Sequence, residues 1–239
     1  MREEKKMSIP PRSIAIIPDG NRRFARRGGL FEHKGHLAGY EKFKEVVFWA
    51  REEGVRFLTF FALSTENWNS RGGEEISFLM NLFKTALLNA LTEYKNEEIH
   101  VRFIGETYRL SPALQELMER AEGETRAPNA FEVVIAMLYG GRSEIVHALP
   151  ESVKLINAGH KVTEEVFSNL LWTKDIPPPD MLIRSGGEKR ISNFLLWNIA
   201  YTELFFTNTL WPDFSREEFG TMIKEFSTRK RRFGGNDIQ

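Results

Sequence analysis

The sequence has 239 residues, with 33 Lys+Arg and 33 Asp+Glu, so its formal net charge at pH 7 is zero. Hydrophobic residues make up 41% of the chain, which excludes global disorder, and the absence of a basic excess argues against a nucleic-acid binder. There is no cysteine, which excludes disulfides, Cys-ligated zinc, iron–sulfur clusters and thiol catalysis.

No apolar run is long enough for a membrane helix, and the charged N-terminus MREEKKMSIPPR lacks the apolar stretch of a secretory signal. We therefore expect a cytoplasmic protein.

Short apolar runs rich in β-branched and aromatic residues predict strands at residues 13–18, 55–63, 99–104, 131–138 and 181–184, with a sixth at 204–207. Most lack strict alternation, which is typical of strands covered on both faces. Helical patterns lie between them, and strands that alternate with helices indicate a mostly parallel sheet. We predict an α/β fold with a central six-stranded sheet flanked by helices, in a single domain over residues 1–239. Residues 1–12 are expected to form a flexible tail.

Four helix signals are specific. Residues 37–50 carry apolar side chains on one face, and an apolar stripe from Ile76 to Tyr94 covers more than five turns. Ser111 and Pro112 predict the start of a third helix, and Ser215 with Glu218 forms a capping box for a last helix that runs toward Arg232.

The first motif whose residues could bind a ligand or take part in a reaction is residues 16–27, IIPDGNRRFARR, where a strand ends in a turn. Gly20 lets backbone approach a ligand, and four arginines follow at 22, 23, 26 and 27. At helical spacing these arginines repel one another unless an anion lies between them. Asp19 beside them suits a divalent cation shared with phosphate oxygens. The alternative is a solvated basic first turn with an ordinary turn aspartate.

The second motif is residues 61–69, FALSTENWN, which loads the end of the second strand with polar side chains. Residues 70–75, SRGGEE, follow and could form a lid hinged at Gly72 and Gly73. The alternative is a polar loop anchored by Trp68.

The third motif is residues 183–206, IRSGGEKRISNFLLWNIAYTELFF. Arg184 and Arg190 around a Gly-Gly turn, together with Ser192, can grip a diphosphate. Glu203 offers a second carboxylate for a metal. The alternative is a structural ion pair between Arg184 and Glu188.

Common nucleotide-binding, metalloprotease and serine-hydrolase motifs are absent: the chain has no GxxxxGK[ST], GxGxxG, HExxH or GxSxG. What remains is two phosphate-gripping patches, two carboxylates for a cation and a long apolar helix. This combination indicates two phosphorylated substrates, at least one with an apolar body.

From about residue 13 to 235 the sequence resembles the cis-prenyltransferases. The resemblance rests on IAIIPDGNRR, the GH-AG segment around His36, STENWN, YGGR at residues 139–142, RSGGEKRISNFLLWNIAYTELFF and LWPDF. It implies condensation of isopentenyl diphosphate onto an allylic prenyl diphosphate, farnesyl or geranylgeranyl, to a long product such as undecaprenyl diphosphate. It also implies Mg²⁺, a homodimer, an apolar tunnel for the product, and contact at the periphery of a membrane.

The resemblance also assigns residues. Asp19 is implied as the essential aspartate and a Mg²⁺ ligand with Glu203, and Asn67 in the proton-loss step. The implied substrate-binding residues are Gly20, Asn21, Arg22, Arg23, Phe24, His36, Ser64, Thr65, Glu66, Trp68, Arg71, Arg184, Arg190, Ile191 and Ser192, with Arg232 and Gly234 reaching the partner subunit from the tail at 229–239.

The sequence departs from the family pattern at several positions. Glu32 stands where an arginine is expected, Arg71 comes one place late, Lys189 replaces a frequent histidine, and Phe24 replaces tryptophan. Three alternatives stay open: a short-chain synthase, a homologue that joins two allylic units, and a non-catalytic partner subunit.

Overall fold

Six parallel strands form the centre of the molecule. The computed structural model describes residues 10–229, and the predicted roles of Arg232 and Gly234 lie outside the described residues. The strands are β1 (Ser13–Ile17), β2 (Phe57–Ser64), β3 (Ile99–Ile104), β4 (Phe131–Tyr139), β5 (Met181–Arg184) and β6 (Glu203–Phe206). Their order is β3-β4-β2-β1-β5-β6, and every neighbouring pair is parallel. The predicted six-stranded α/β domain is confirmed.

Helices cover both faces of the sheet. They are α1 (Asn21–Arg27), α2 (Glu32–Glu52), α3 (Thr65–Ser70), α4 (Gly73–Glu93), α5 (Pro112–Thr125), α6 (Gly141–Asn157), α7 (Glu164–Ser168) and α8 (Arg216–Thr228). None of the helices between residues 10 and 229 is long and apolar enough to cross a bilayer.

The predicted helix starts are in place, but the last helix ends early. The Ser215 hydroxyl accepts from the Glu218 amide at 3.1 Å, which is half of the capping box. The Glu218 carboxylate accepts instead from Thr209, at 3.2 Å. Helix α8 ends at Thr228, before the predicted Arg232, because Arg229 adopts an extended backbone conformation.

The sheet is buried on both faces, as the unbroken apolar runs predict. All five residues of β1 are buried. One face packs with α2, α4 and α8 in a cluster that includes Phe43, Trp211 and Phe219. The other face packs with the segment between β4 and β6, including Phe194.

Part of the predicted N-terminal tail is held to the fold. Pro11 is buried, and the Arg12 amide donates to Asp180 Oδ2 at 2.8 Å. Of the tail predicted over residues 1–12, only 10–12 are described.

Candidate active site

Three sequence motifs meet at the carboxyl edge of the sheet. Asp19 follows β1, α3 follows β2, and Arg184 is the last residue of β5. Because β1 lies between β2 and β5, their carboxyl ends are neighbours, and ligands of open parallel sheets bind at that edge.

Asp19 is fixed from three directions. Its carboxylate accepts from Arg184 Nη2 at 2.9 Å and from Arg23 Nη2 at 3.0 Å. Its amide donates to the Ser185 hydroxyl, which in turn donates to the Asp19 carbonyl, both at 2.9 Å. The Asp19 side chain is 29% exposed, so the carboxylate is oriented by the protein but still open to a ligand.

Arg184 connects the first motif with the third. Its side chain is only 4% exposed, and Nη1 donates to the Arg190 carbonyl at 2.6 Å and to the Ser192 hydroxyl at 2.7 Å. The alternative pairing of Arg184 with Glu188 is wrong, since Glu188 pairs with Arg190. One guanidinium therefore holds both the Asp19 carboxylate and the segment predicted to bind isopentenyl diphosphate.

The turn that follows Arg184 needs glycine, and the backbone a few residues later is strained. Gly186 has φ +83°, and a Cβ there would lie 2.6 Å from Arg23 Nη2 and 2.8 Å from the Asp19 carbonyl oxygen. Ser192 and Asn193 have φ of 49° and 64°, left-handed values that cost energy for residues other than glycine. Such strain is typical of functional segments.

The predicted repulsion among the α1 arginines is relieved by a neighbouring acid. Glu32 accepts from Arg22 at 2.8 Å and from Arg26 at 2.6 Å, and these bonds lower the pKa of its carboxyl. Arg27 points elsewhere and pairs with Asp213 at 2.7 Å. The chain thus supplies its own anion where the sequence predicted a ligand.

The predicted lid is a short junction between two helices. Only Arg71 and Gly72 separate α3 from α4, and Gly72 has an ordinary φ of −65°. Glu75 accepts from Arg71 at 3.2 Å and lies 3.0 Å from His36 Nε2. Burial lowers the pKa of His36, so the imidazole is neutral at pH 7 and donates to the glutamate.

A cavity of about 1120 Å³ opens at this cluster and continues into apolar surroundings. Its polar end includes Asp19, Arg23 and Arg184. Its apolar wall comes from α2, α4 and strands β2, β3 and β4: Tyr40, Phe43, Phe60, Leu63, Leu79, Met80, Leu82, Phe83, Leu87, Ala90, Tyr94, Val101, Phe103, Val133, Ile135 and Met137. From Leu79 to Tyr94 the wall is about 22 Å long at the helical rise. The predicted apolar tunnel is confirmed.

Most of the predicted site residues line this cavity. They are Asp19, Gly20, Asn21, Arg22, Arg23, His36, Ser64, Glu66, Asn67, Arg71, Arg184, Arg190, Ile191 and Ser192. Four other described residues do not line it. The Phe24 ring lies under the Arg27 guanidinium, Thr65 is buried, Trp68 packs in a hydrophobic cluster, and Glu203 lies elsewhere, as described next.

Glu203 does not meet Asp19 within one chain. It is the first residue of β6 and pairs with Met181 at the amino end of β5, whereas Asp19 follows the carboxyl end of β1. The Glu203 carboxylate accepts from Arg229 at 2.6 Å. Over residues 10–229 there is no group of three or more His, Cys, Asp or Glu side chains arranged to hold a metal. A metal site built from Asp19 and Glu203 of the same chain is therefore not formed.

Several residues of the site were not predicted. Asn193 donates to Glu66 at 2.8 Å and accepts from the Arg142 amide at 2.9 Å, so it ties α3 to the start of α6. Ser185 fixes the Asp19 backbone, as described above. The left-handed Asn193 has no signal in sequence beyond asparagine's tolerance of that conformation.

Two glycines of the GH-AG segment in α2 have a packing role that was not predicted. A Cβ on Gly35 would lie 2.0 Å from the Asn21 carbonyl oxygen, and one on Gly39 would lie 2.4 Å from Asn21 Oδ1. These glycines let α1 lie directly on α2. Their four-residue spacing was the available signal.

Comparisons with known proteins agree with this geometry. The family model described as "Putative undecaprenyl diphosphate synthase" matches residues 17–234. The chain is 47% identical to isoprenyl transferase of Aquifex pyrophilus, over 94% of this chain and 96% of that protein. It is 42% identical to the tritrans,polycis-undecaprenyl-diphosphate synthase (geranylgeranyl-diphosphate specific) of Picrophilus torridus, over 97% and 93%. Its structure is similar to that of lavandulyl diphosphate synthase from Lavandula x intermedia in complex with dimethylallyl diphosphate. The TM-score is 0.89 with 33% identity, over 94% of this chain and 98% of that one.

Proposed function

The chain belongs to the cis-prenyltransferases, the family of undecaprenyl diphosphate synthase, and from that premise we propose its reaction. It adds isopentenyl diphosphate units repeatedly to an allylic diphosphate, farnesyl or geranylgeranyl, and so makes a long cis-polyprenyl diphosphate such as undecaprenyl diphosphate. Such a product serves as the precursor of a glycosyl carrier lipid.

The observation that carries this proposal is the continuity of the cavity. A single space joins a cluster of arginines around one aspartate to an apolar wall about 22 Å long. Its volume of about 1120 Å³ exceeds the roughly 300–1,000 Å³ of pockets for drug-sized ligands. A diphosphate fits the charged end, and a long hydrocarbon fits the rest.

The charged end favours departure of a diphosphate. As the allylic C1–O bond breaks and C4 of isopentenyl diphosphate attacks C1, negative charge builds on the leaving diphosphate, and an oxygen of that diphosphate accepts the proton lost from C2. Arg22, Arg23 and Arg26 line the cavity beside Asp19 and stabilise that charge best in the transition state. The apolar wall keeps water from the cation-like allylic fragment.

The second patch holds isopentenyl diphosphate. Arg190 is exposed and Ser192 is already oriented by Arg184, so both can turn a donor toward a diphosphate oxygen. The Asn67 side chain borders the same cavity. An amide does not titrate, so Asn67 positions the reacting groups by hydrogen bonding and does not itself accept the proton.

Mg²⁺ fits the donor set around Asp19. This ion is typically held by one or two carboxylates together with substrate phosphates, and Asp19 supplies one partly exposed carboxylate at the diphosphate end. When bound, the ion neutralises charge on the departing diphosphate. Asp19 would hold it, while Arg184 and Arg23 keep the carboxylate in place.

We also propose a homodimer, and the exposed face of α6 supports it. Four large apolar side chains at helical spacing lie on that face, exposed by 47–63%: Val146, Leu149, Val153 and Ile156. A second copy of this face would cover them. Replacing Val153 with glutamate is expected to give a monomer in analytical ultracentrifugation. A variant that remains a dimer would place the interface elsewhere.

The main alternatives among enzymes are a short-chain synthase and a homologue that joins two allylic units; the similar structure of lavandulyl diphosphate synthase holds dimethylallyl diphosphate, itself an allylic diphosphate. The less favoured alternative is a non-catalytic partner subunit, against which the Asp19 cluster argues. The test is to incubate the purified chain with labelled isopentenyl diphosphate, Mg²⁺ and farnesyl or geranylgeranyl diphosphate in turn, and to size the products. A long-chain ladder supports the proposal. Arrest after one or two additions supports the short-chain enzyme, and no product with either starter contradicts the proposal.

A further inference from the structure

The YGGR segment at residues 139–142 places at the cavity an arginine that has no role in the reaction proposed above. Arg142 lines the cavity, and its side chain is exposed. It is the second residue of α6, which follows β4, so it lies at the same carboxyl edge of the sheet as Asp19 and Arg184. This position makes Arg142 a candidate for contact with a substrate.

Arg142 differs from the other arginines of the cavity in its partners. Seven arginines line the cavity, and six of them pair with a carboxylate. The pairs are Arg22 and Arg26 with Glu32, Arg23 and Arg184 with Asp19, Arg71 with Glu75, and Arg190 with Glu188. Within residues 10–229 the Arg142 guanidinium has no hydrogen bond or ion pair, and only its backbone amide is bound by a side chain. Its charge is therefore left for a ligand.

Asn193 places Arg142 beside the proposed isopentenyl site. The Asn193 carbonyl accepts from the Gly141 amide at 2.7 Å, and Asn193 Oδ1 accepts from the Arg142 amide at 2.9 Å. This close approach needs the glycine before them, because a Cβ on Gly140 would lie 2.7 Å from Asn193 Nδ2. Asn193 directly follows Ser192, and both line the cavity. Since the Gly141 and Arg142 amides are occupied, the guanidinium is the donor that Arg142 offers to a ligand.

The acids of the neighbouring segments are engaged elsewhere. Glu66 accepts from Asn193 Nδ2 at 2.8 Å. Glu144, the acid in the first turn of α6, is 1% exposed and accepts from the Thr173 amide at 2.9 Å. Side chains two positions apart on a helix do not face each other, so Glu144 does not meet Arg142. A cation near the positive N-terminal end of a helix is destabilising, and an anion from outside the chain would offset this effect.

We propose that Arg142 is a further binding residue for isopentenyl diphosphate. Its guanidinium donates a charge-assisted hydrogen bond to a phosphate oxygen of that substrate, beside Ser192. Unlike its six neighbours, it does so without first leaving a carboxylate of the chain. The identity of the diphosphate rests on the proposed function, whereas the anion site itself does not.

The test is steady-state kinetics with Mg²⁺ and each diphosphate varied in turn. Arg142→Ala should raise KM for isopentenyl diphosphate about tenfold or more, since a hydrogen bond to a charged group is lost, and should leave kcat and KM for the allylic diphosphate nearly unchanged. Arg142→Lys keeps the charge and should recover part of the loss. Arg120→Ala is the matched control, because Arg120 is 60% exposed on α5 and does not line the cavity.

Two further measurements separate binding from structure and from turnover. The melting temperature of Arg142→Ala should equal or slightly exceed that of the unchanged protein, because the guanidinium supports no contact within the described chain. Calorimetric titration with isopentenyl diphosphate alone should show the same weakening of about tenfold. The proposal is overturned if Arg142→Ala binds isopentenyl diphosphate as tightly as the unchanged protein. It is also overturned if the KM values for both substrates rise equally, if Arg120→Ala has the same effect, or if Arg142→Ala melts well below the unchanged protein.

Failure of this proposal is distinguishable from failure of the proposed function. A chain that makes a prenyl ladder and is indifferent to Arg142→Ala refutes the role of Arg142 alone. A chain that makes no product with either starter, but binds isopentenyl diphosphate or inorganic pyrophosphate through Arg142, refutes the proposed function and supports the anion site.

Discussion

Replacement of Arg184 with alanine tests whether one side chain connects the two substrate patches. Arg184 is 4% exposed and makes hydrogen bonds of 2.6, 2.7 and 2.9 Å to the Arg190 carbonyl, the Ser192 hydroxyl and the Asp19 carboxylate. Its removal leaves the Arg190 carbonyl and the Ser192 hydroxyl without this donor, whereas Asp19 is 29% exposed and keeps its bond to Arg23, so we expect a cost of about 1–3 kcal/mol. For a chain of this length each kcal/mol lowers the melting temperature by about 2–4 °C, so we expect a loss of about 5 °C.

The kinetic effect should involve both substrates. Without Arg184, Asp19 keeps only its exposed bond to Arg23 at the proposed allylic site, and Ser192 loses its donor at the proposed isopentenyl site. We expect Arg184→Ala to lower kcat and raise KM for both diphosphates. Arg184→Lys should be intermediate, because an ammonium group keeps the charge but cannot reproduce the fork of a guanidinium.

Arg190→Ala is the matched control. The Arg190 side chain is 61% exposed, so its removal should leave the melting temperature unchanged and raise KM for isopentenyl diphosphate alone. The assay is steady-state kinetics with each substrate varied in turn, combined with thermal melting. If Arg184→Ala melts like the unchanged protein and affects isopentenyl diphosphate alone, Arg184 is a substrate contact and does not position Asp19.

Three further predictions follow from other sites. Asp19→Asn keeps the shape of the side chain but removes its charge, and should lower kcat about a hundredfold or more in the product assay; near-normal turnover would exclude Asp19 from the mechanism. Gly35→Ala places a Cβ 2.0 Å from the Asn21 carbonyl oxygen and should cost about 1–3 kcal/mol of unfolding free energy in urea, whereas Gly28→Ala, with its nearest atom at 3.5 Å, should be neutral; equal stability of the two variants would contradict this packing. Burial raises the pKa of Glu144 above its ordinary 4.5, so its contribution to stability is present below that value and is lost as pH rises through the raised pKa. The melting temperature of the unchanged protein should therefore fall relative to Glu144→Gln as pH rises above 4.5, and a constant difference would mean that Glu144 does not titrate in this way.

The strands were predictable because burial on both faces leaves unbroken apolar runs. Strand β5 was predicted at its observed bounds, residues 181–184, and β3 likewise at 99–104. Helix α6 was missed because it begins with glycine, contains Pro150 and carries its exposed apolar stripe on the outer side. Helix α3 is only six residues long, too short for a helical period to show.

The candidate site was predictable where a motif stands at the carboxyl end of a strand. It was predicted less well where the end of the strand on which a residue lies decides its position. Asp19 follows the carboxyl end of β1 and Arg184 stands at the carboxyl end of β5, so a parallel sheet brings them together. Glu203 instead begins strand β6, so it lies at the amino ends of the strands, away from Asp19. The predicted strand at 204–207 starts directly after Glu203, so the sequence already indicated this position. The partners of Asp19 depend on tertiary packing, since Ser185 and Arg184 are distant from it in sequence.

The Asp19–Arg184 bond joins residues 165 positions apart, so it closes a loop of most of the chain. Closing so long a loop costs conformational entropy that later contacts must offset, and non-local parallel pairing is slow to form. During synthesis the aspartate turn leaves the ribosome long before the arginine does. A nascent chain that stops before β5 can collapse around β1–β4 but holds half a site, so catalytic competence can arise only after nearly the whole polypeptide has been made.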